Sequence, residues 1–280
     1  MLIAVCSLKG SPGVTTLASA LGARWPGGQS PIVVEADPAG GDLMARFRLS
    51  DTPGLVSLAA AARRRGGTDP NLVTQHTQVL NGGLRVIIGP VGAEQARAAL
   101  SVLAPGPASL LRRAADQPGI TIIADCGRVD PDSPALAIIR AADTMLLVAR
   151  PHDDELAHVA LKLQAAQQWS RRPCLVLVGD GYSTAEVSQI LRIPVMARVP
   201  SDIRGAAALC GQVLNRRSPD KCVLSRAAAT IALNIHANSQ QPAAIGTRAP
   251  QLRLAHPDAL PPNVFVHPRS STAGNGVAAP

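Results

Sequence analysis

The stretch CSLKGSPGVTTLASALG, Cys6 to Gly22, follows directly on the apolar run LIAVCS, Leu2 to Ser7. An apolar run, a glycine-rich bend and an aliphatic helical pattern in that order predict a strand, a loop and a helix. Gly10 and Gly13 let the backbone turn inward and aim N–H groups at an anion. The helix is predicted to open at Thr15 and to present its positive dipole end to phosphate. Thr15 stands where a Mg²⁺-ligating hydroxyl belongs, and Thr16 is placed to bond a phosphate oxygen. Ser11 and Pro12 complete the bend, and Lys9 supplies a cation from its opposite lip. Val14, just before the threonines, occupies the place where loops of this type carry a lysine. The competing reading is a Gly/Pro turn into a capped helix, with no ligand.

Further along, the loop gains company. VVEADPAGGDLMARF, Val33 to Phe47, ends a second apolar strand with Glu35, Asp37 and Asp42. TIIADCG, Thr121 to Gly127, puts Asp125 at the end of another. A carboxylate at such a strand end holds Mg²⁺ through water. One aspartate after a strand is commonly only a turn or cap. Two acidic strand ends after a Lys-Gly loop are far less expected by coincidence.

The remaining apolar runs extend the pattern. Leu84–Gly89, Thr144–Arg150, Pro173–Asp180 and Val195–Pro200 read as strands. Helical stretches are predicted over Thr15–Ala23, Leu55–Arg64, Ala93–Leu103, Pro107–Ala115, Ser133–Ala141, Asp153–Ser170, Ser183–Leu191 and Ile203–Leu214. Strands alternating with helices of this length make an α/β fold with a doubly wound, mainly parallel sheet, whose ligands sit at the carboxyl ends of strands. The domain is expected over 1–237. From about Asn238 the sequence turns to Pro, Ala, Ser and Gly without periodicity, so 238–280 is expected to be a mostly disordered tail. Two short islands in it, QLRLAH and NVFVH, are candidate docking segments.

Hydrophobic residues make up 46% of the 280 and aromatic residues 2%, which requires an aliphatic core and disfavours a nucleic-acid reader built on stacking rings. The formal net charge is +8. Its short clusters, Arg63–Arg65, Arg112–Arg113, Arg171–Arg172 and Arg216–Arg217, suit either solvated surfaces or weak, sequence-independent phosphate contacts. Cys6, Cys126, Cys174, Cys210 and Cys222 form no CxxC pair and read as reduced, mostly packed thiols. No run approaches a membrane span, and MLIAVCS is too short for a signal-peptide core, so a cytoplasmic protein is expected. His152 to Glu155 reads as the acidic first turn of a helix rather than a metal site. Cys126 has no His near it in sequence, which disfavours a nucleophilic role.

Across Met1 to Ala237 the chain resembles the ParA/MinD family of deviant Walker A P-loop ATPases. The family's loop reads KGGxGKTT; here Lys9-Gly10-Ser11-Pro12-Gly13-Val14-Thr15-Thr16 stands in its place. The resemblance retains the family's signature lysine as Lys9 and departs at Val14. EADPAGGDL is similar to the family's DxDPQG segment, which implies that Asp37 positions or activates the attacking water. ADCG resembles its Walker B strand end, with Asp125 as the aspartate. PGLVSLAAA, Pro53 to Ala61, resembles the segment that follows DxDPQG. IPVMARVPSDIRGAAALCG resembles the late segment bordering the adenine, with Pro200, Ser201 and Asp202 matched. Asp180 falls where members often carry a base-reading Asn. Pilus-assembly members of the CpaE/TadZ type are similar in carrying an atypical residue at the position of Val14.

The resemblance implies ATP and Mg²⁺ as cofactors, with Thr15, Asp37 and Asp125 as the metal set. It implies a nucleotide-dependent homodimer in which Lys9 crosses to the partner's phosphates. It further implies slow hydrolysis that positions cargo such as DNA or a secretion or pilus assembly, with nonspecific DNA and an unidentified protein regulator as partners. The alternative expectation is a pseudo-ATPase scaffold, which Val14 favours. No basic amphipathic C-terminal helix of the MinD membrane-anchoring kind is present in the sequence.

Overall fold

The computed structural model describes residues 1–10, 12–64, 69–104, 109–170, 172–209 and 222–240. The apolar runs become β1 (Leu2–Ser7), β2 (Ser30–Glu35), β4 (Arg85–Ile87), β5 (Ile120–Arg128), β6 (Thr144–Ala149), β7 (Pro173–Val178) and β8 (Val195–Val199). A two-residue strand, β3 (Gln78–Val79), completes a sheet of order β3-β4-β2-β5-β1-β6-β7-β8. Every pairing is parallel except β3 with β4 at the edge. β1 lies between β5 and β6, with all six of its residues buried. That burial explains why its sequence is continuously apolar rather than alternating.

Between the strands run α1 (Val14–Ala23), α2 (Leu43–Phe47), α3 (Leu55–Arg64), α4 (Asn71–Gln75), α5 (Ala93–Leu103) and α6 (Leu110–Ala115). α7 (Leu136–Ala141), α8 (Asp153–Trp169), α9 (Thr184–Leu191), α10 (Ile203–Leu209) and α11 (Val223–Gln240) follow. α3 and α5 match their expected bounds. α9 is fixed by a reciprocal capping box in which the Ser183 side chain accepts from the Glu186 backbone and the Glu186 side chain from the Ser183 backbone.

Three differences from expectation have physical causes. α1 opens at Val14 rather than Thr15, because Gly13 takes the left-handed conformation (φ 98°) and Val14 turns into the core. α7 opens at Leu136 rather than Ser133, whose hydroxyl instead accepts from the Ala135 N–H in a turn. α11 was not expected as an element. Its Leu224, Ala228, Ile231, Ala232 and Ile235 are buried at helical spacing and pack with Leu17 and Leu21 of α1 in one aliphatic core. It carries the described chain to Gln240, past the expected boundary at 237. The expected tail beyond Gln240, with both its islands, and the predicted helix after Leu209 lie outside the described residues.

Candidate functional site

The strand register brings the loop and the carboxylates to one edge. Glu35 of β2 pairs with Asp125 of β5, and Asp125 pairs with Val5 of β1, two residues before the loop. Within the loop Gly10 (φ 65°) and Gly13 (φ 98°) both need the left-handed region that glycine enters without strain. Gly13 has no side chain to cap α1, and the helix has no acidic residue in its first turn. The first turn of α1 thus carries no cap and no acidic residue of its own to meet its positive end. Thr15 and Thr16 are half-buried there, and Pro12 is buried. Ser11 lies outside the described residues.

Val14 does not face that end. It is 5% exposed and belongs to the aliphatic core. Lys9 is half-buried, and its Nζ lies 2.9 Å from Nε2 of His158 on α8.

Asp125 is 1% exposed. It accepts hydrogen bonds from the Thr15 hydroxyl and, at 3.1 Å, from the Gly127 N–H. Burial pushes its carboxyl up to about 7, with Glu35 and Asp37 adding to the rise and the two hydrogen bonds opposing it. Asp37 is half-buried, and its Oδ1 accepts from the Ala39 N–H at 2.7 Å. Its Oδ2 lies 1.9 Å from where a Cβ on Gly127 would stand, so only glycine lets Asp37 fold over the end of β5. Burial raises the Asp37 carboxyl above its ordinary value; Arg128 and Arg97 pull it down.

Glu35 has different work. Its Oε1 accepts from the N–H groups of Asp42 (2.7 Å) and Leu43 (2.9 Å), and its Oε2 from Gly89 N–H (2.9 Å). It therefore clamps the entry to α2 against the end of β4. Asp42 is exposed and pairs with Arg46 on its own helix.

Three carboxylates gathered in a low-dielectric corner create a demand for positive charge. The donors are all oxygen, from Thr15, Asp37 and Asp125, which suits a hard divalent ion such as Mg²⁺ and not a soft metal. Among the described residues no group of three or more His, Cys, Asp or Glu could by itself hold a metal ion. An ion at this corner therefore needs phosphate oxygens and water as its other ligands, the usual condition for Mg²⁺.

No family model matches the chain, and no curated protein matches it. Solved structures do. The ParA family ATPase from Chlorobium tepidum TLS superposes with a TM-score of 0.65 at 18% identity, over 83% of this chain and 98% of that one. The cell division ATPase MinD of Pyrococcus furiosus gives 0.64 at 19% identity, over 85% and 98%. The septum site-determining protein MinD of Pyrococcus horikoshii OT3, complexed with Mg-ADP, gives 0.61 at 16% identity, over 85% and 97%. The fold is that of the ParA/MinD ATPases.

In this ParA/MinD fold the strands on the other flank of β1 carry the remaining expected residues. Asp180, Pro200 and Ser201 are exposed at the ends of β7 and β8. Asp202 is structural in its contacts. Its Oδ1 accepts from Gly205 N–H at 2.8 Å and its Oδ2 from Leu224 N–H at 3.2 Å, which ties α10 to the start of α11. Those backbone donors, Gly205 first, hold its carboxyl below the usual range.

The sequence reading missed four side chains. Arg198 donates to the carbonyls of Gly179 (2.7 Å) and Tyr182, pinning the loop that carries Asp180. A lone arginine in the apolar strand VMARV was the available signal. Arg128 bears on Asp37 from the end of β5. Glu155, 4% exposed, accepts from the Arg150 N–H at 2.7 Å beside the glycine loop. His158 meets Lys9 one turn later. Glu155 was read only as part of an acidic helix start; its i, i+3 spacing to His158 just after β6 was the clue.

Of the five cysteines two are packed as expected, Cys174 and Cys222 are half-buried, and Cys210 lies outside the described residues. Cys6 and Cys126 are fully buried, and burial pushes both up, Cys6 to about 12, which suppresses the reactive thiolate. No helix among the described residues is long and apolar enough to cross a membrane.

Proposed function

We propose that the chain is an ATP- and Mg²⁺-binding switch with slow ATP hydrolysis, coupled to homodimerisation and used to position cargo. One observation carries this reading: Thr15, Asp125 and Asp37 converge beneath a glycine loop at the positive end of α1. The backbone N–H groups of Gly10, Gly13, Val14, Thr15 and Thr16 would cradle the phosphates. Thr15, Asp37 and Asp125 would hold the metal, and Asp37 would orient the attacking water. Mg²⁺ bound with the nucleotide would neutralise phosphate charge. The solved MinD of Pyrococcus horikoshii carries Mg-ADP, which supports the ligand class. Asp180, Pro200, Ser201 and the Asp202 backbone border the base. Lys9, as the loop's cation, is assigned to the phosphates of a partner copy.

A second reading has its own support. Val14 is committed to the core and Lys9 is held by His158. In this arrangement neither loop position, Lys9 or Val14, offers the phosphates a lysine, as in a scaffold that binds nucleotide without turnover. Nonspecific DNA is the proposed cargo partner, with an unidentified protein regulator beside it. Arg63 and Arg64 are exposed at the end of α3, whereas Arg112 is engaged by Asp116 and Asp143 and contributes little.

Calorimetric titration with Mg-ATP, together with phosphate release with and without DNA, tests the proposal on the intact chain, Lys9→Ala and Asp37→Ala. The expected result is micromolar or weaker binding and slow turnover, which Asp37→Ala abolishes while retaining nucleotide. Turnover unchanged in Asp37→Ala overturns the catalytic assignment. Absence of binding overturns both readings. DNA affinity that does not fall as salt rises removes the basic-surface assignment.

A further inference from the structure

The contact between Lys9 and His158 joins the loop to α8. α8 abuts the loop at its first turn. Glu155 Oε1 lies 3.2 Å from where a Cβ on Gly10 would stand. The oxygens of Glu155 are taken by the Arg150 N–H at 2.7 Å and by the Arg150 guanidinium at 3.4 Å. One turn further on the same face is His158, with Nε2 2.9 Å from Lys9 Nζ. A lysine ammonium has three donors and no acceptor, so Nε2 must accept. Nδ1 is then the ring's N–H. A neutral imidazole is a weaker partner for an ammonium than a carboxylate or a phosphate. The lysine is thus held in place, but by a group that phosphate can outcompete.

We infer that His158 is a positioning residue that parks Lys9 against α8 within the single chain and releases it when phosphate is offered. The inference rests on the nucleotide reading for its purpose, and on the geometry alone for the parking itself. Parking subtracts from nucleotide affinity, because the contact to His158 must break before Lys9 reaches phosphate. It also makes α8 sensitive to loop occupancy, since its second turn loses a tether when Lys9 leaves.

The test uses the full chain with His158→Leu, which removes the acceptor, and His158→Gln, which keeps a carbonyl acceptor. Without nucleotide, acetylation of Lys9 by an N-hydroxysuccinimide ester, followed by mass spectrometry, is expected to run about three- to tenfold faster in His158→Leu and near the parent rate in His158→Gln. Mg-ATP affinity is expected to tighten by a similar factor in His158→Leu, and not at all when the same change is made beside Lys9→Ala. An unchanged acetylation rate in His158→Leu overturns the parking. So does an affinity change of equal size with and without Lys9. If no chain binds nucleotide, the switch reading fails and acetylation alone decides the parking.

Discussion

At the scale of single residues the site is governed by the charge of Asp125. Burial pushes its carboxyl up to about 7 in the folded chain, against 3.8 ordinarily. The sign of the pH effect follows. Below the ordinary value both states hold the proton and nothing differs. Between it and about 7 the folded chain keeps a proton that the unfolded chain has lost, so stability falls as pH climbs through this window. Above it the full penalty of a buried anion remains. Asp125→Asn removes that penalty and keeps an oxygen for Thr15 and Gly127 to donate to. Without metal or nucleotide, it is expected to stabilise the chain by about 2–4 kcal/mol at pH 8 and by almost nothing at pH 4. Urea unfolding at the two pH values measures this, and equal gains at both would refute the assignment. Mg²⁺ affinity in the parent chain is expected to rise with pH through the same window, as the ion displaces the proton. Val14 shows the opposite economy: it forgoes the charge a lysine would bring and adds aliphatic contact beneath α1.

At the scale of elements, buried carboxylates serve as backbone clamps. Glu35 accepts three N–H groups that would otherwise be orphaned where β2, α2 and the end of β4 meet. Glu35→Ala is expected to cost about 2–3 kcal/mol despite removing a buried charge, because the donors lose their acceptor. Hydrogen exchange at the Leu43 and Gly89 amides should accelerate more than the global change explains; uniform acceleration would mean that the clamp is not local. This division of labour was not legible in the sequence. Glu35, Asp37 and Asp42 sit within one short segment, and spacing alone does not say which folds inward. The positions of β1, β2 and β5 were legible, since strands covered on both faces are continuously apolar. β3 was not, because two edge residues, Gln78 and Val79, are too few to carry a period. α11 was missed because a short stripe of Ala and Ile at helical spacing, followed by Asn, Ser and Gln, was overshadowed by the Pro-rich composition just beyond it. Val14 was read as a lost lysine because sequence gives the position in a motif but not the direction of a side chain.

At the scale of the whole molecule, α1 connects the candidate site to the core. Its first turn faces the glycine loop, and Leu17 and Leu21 further along it are buried in the same cluster as Ile231 and Ile235 of α11. Ligand binding at the loop and packing at α11 thus act on one folded unit, from places well separated along one helix. Independent sites add, and coupled sites do not. Ile231→Ala is expected to cost about 2–5 kcal/mol through lost burial and a residual cavity. Saturation with Mg-ATP at about a hundred times its dissociation constant is expected to add about 2.7 kcal/mol, since nucleotide binds only the folded chain. If α1 behaves as a rigid rod, that increment is the same in the parent chain and in Ile231→Ala. Urea unfolding of both, with and without Mg-ATP, closes the cycle. An increment that shrinks in Ile231→Ala would show that the helix transmits the state of the core to the loop, and α11 would then belong to the switch rather than only to its support.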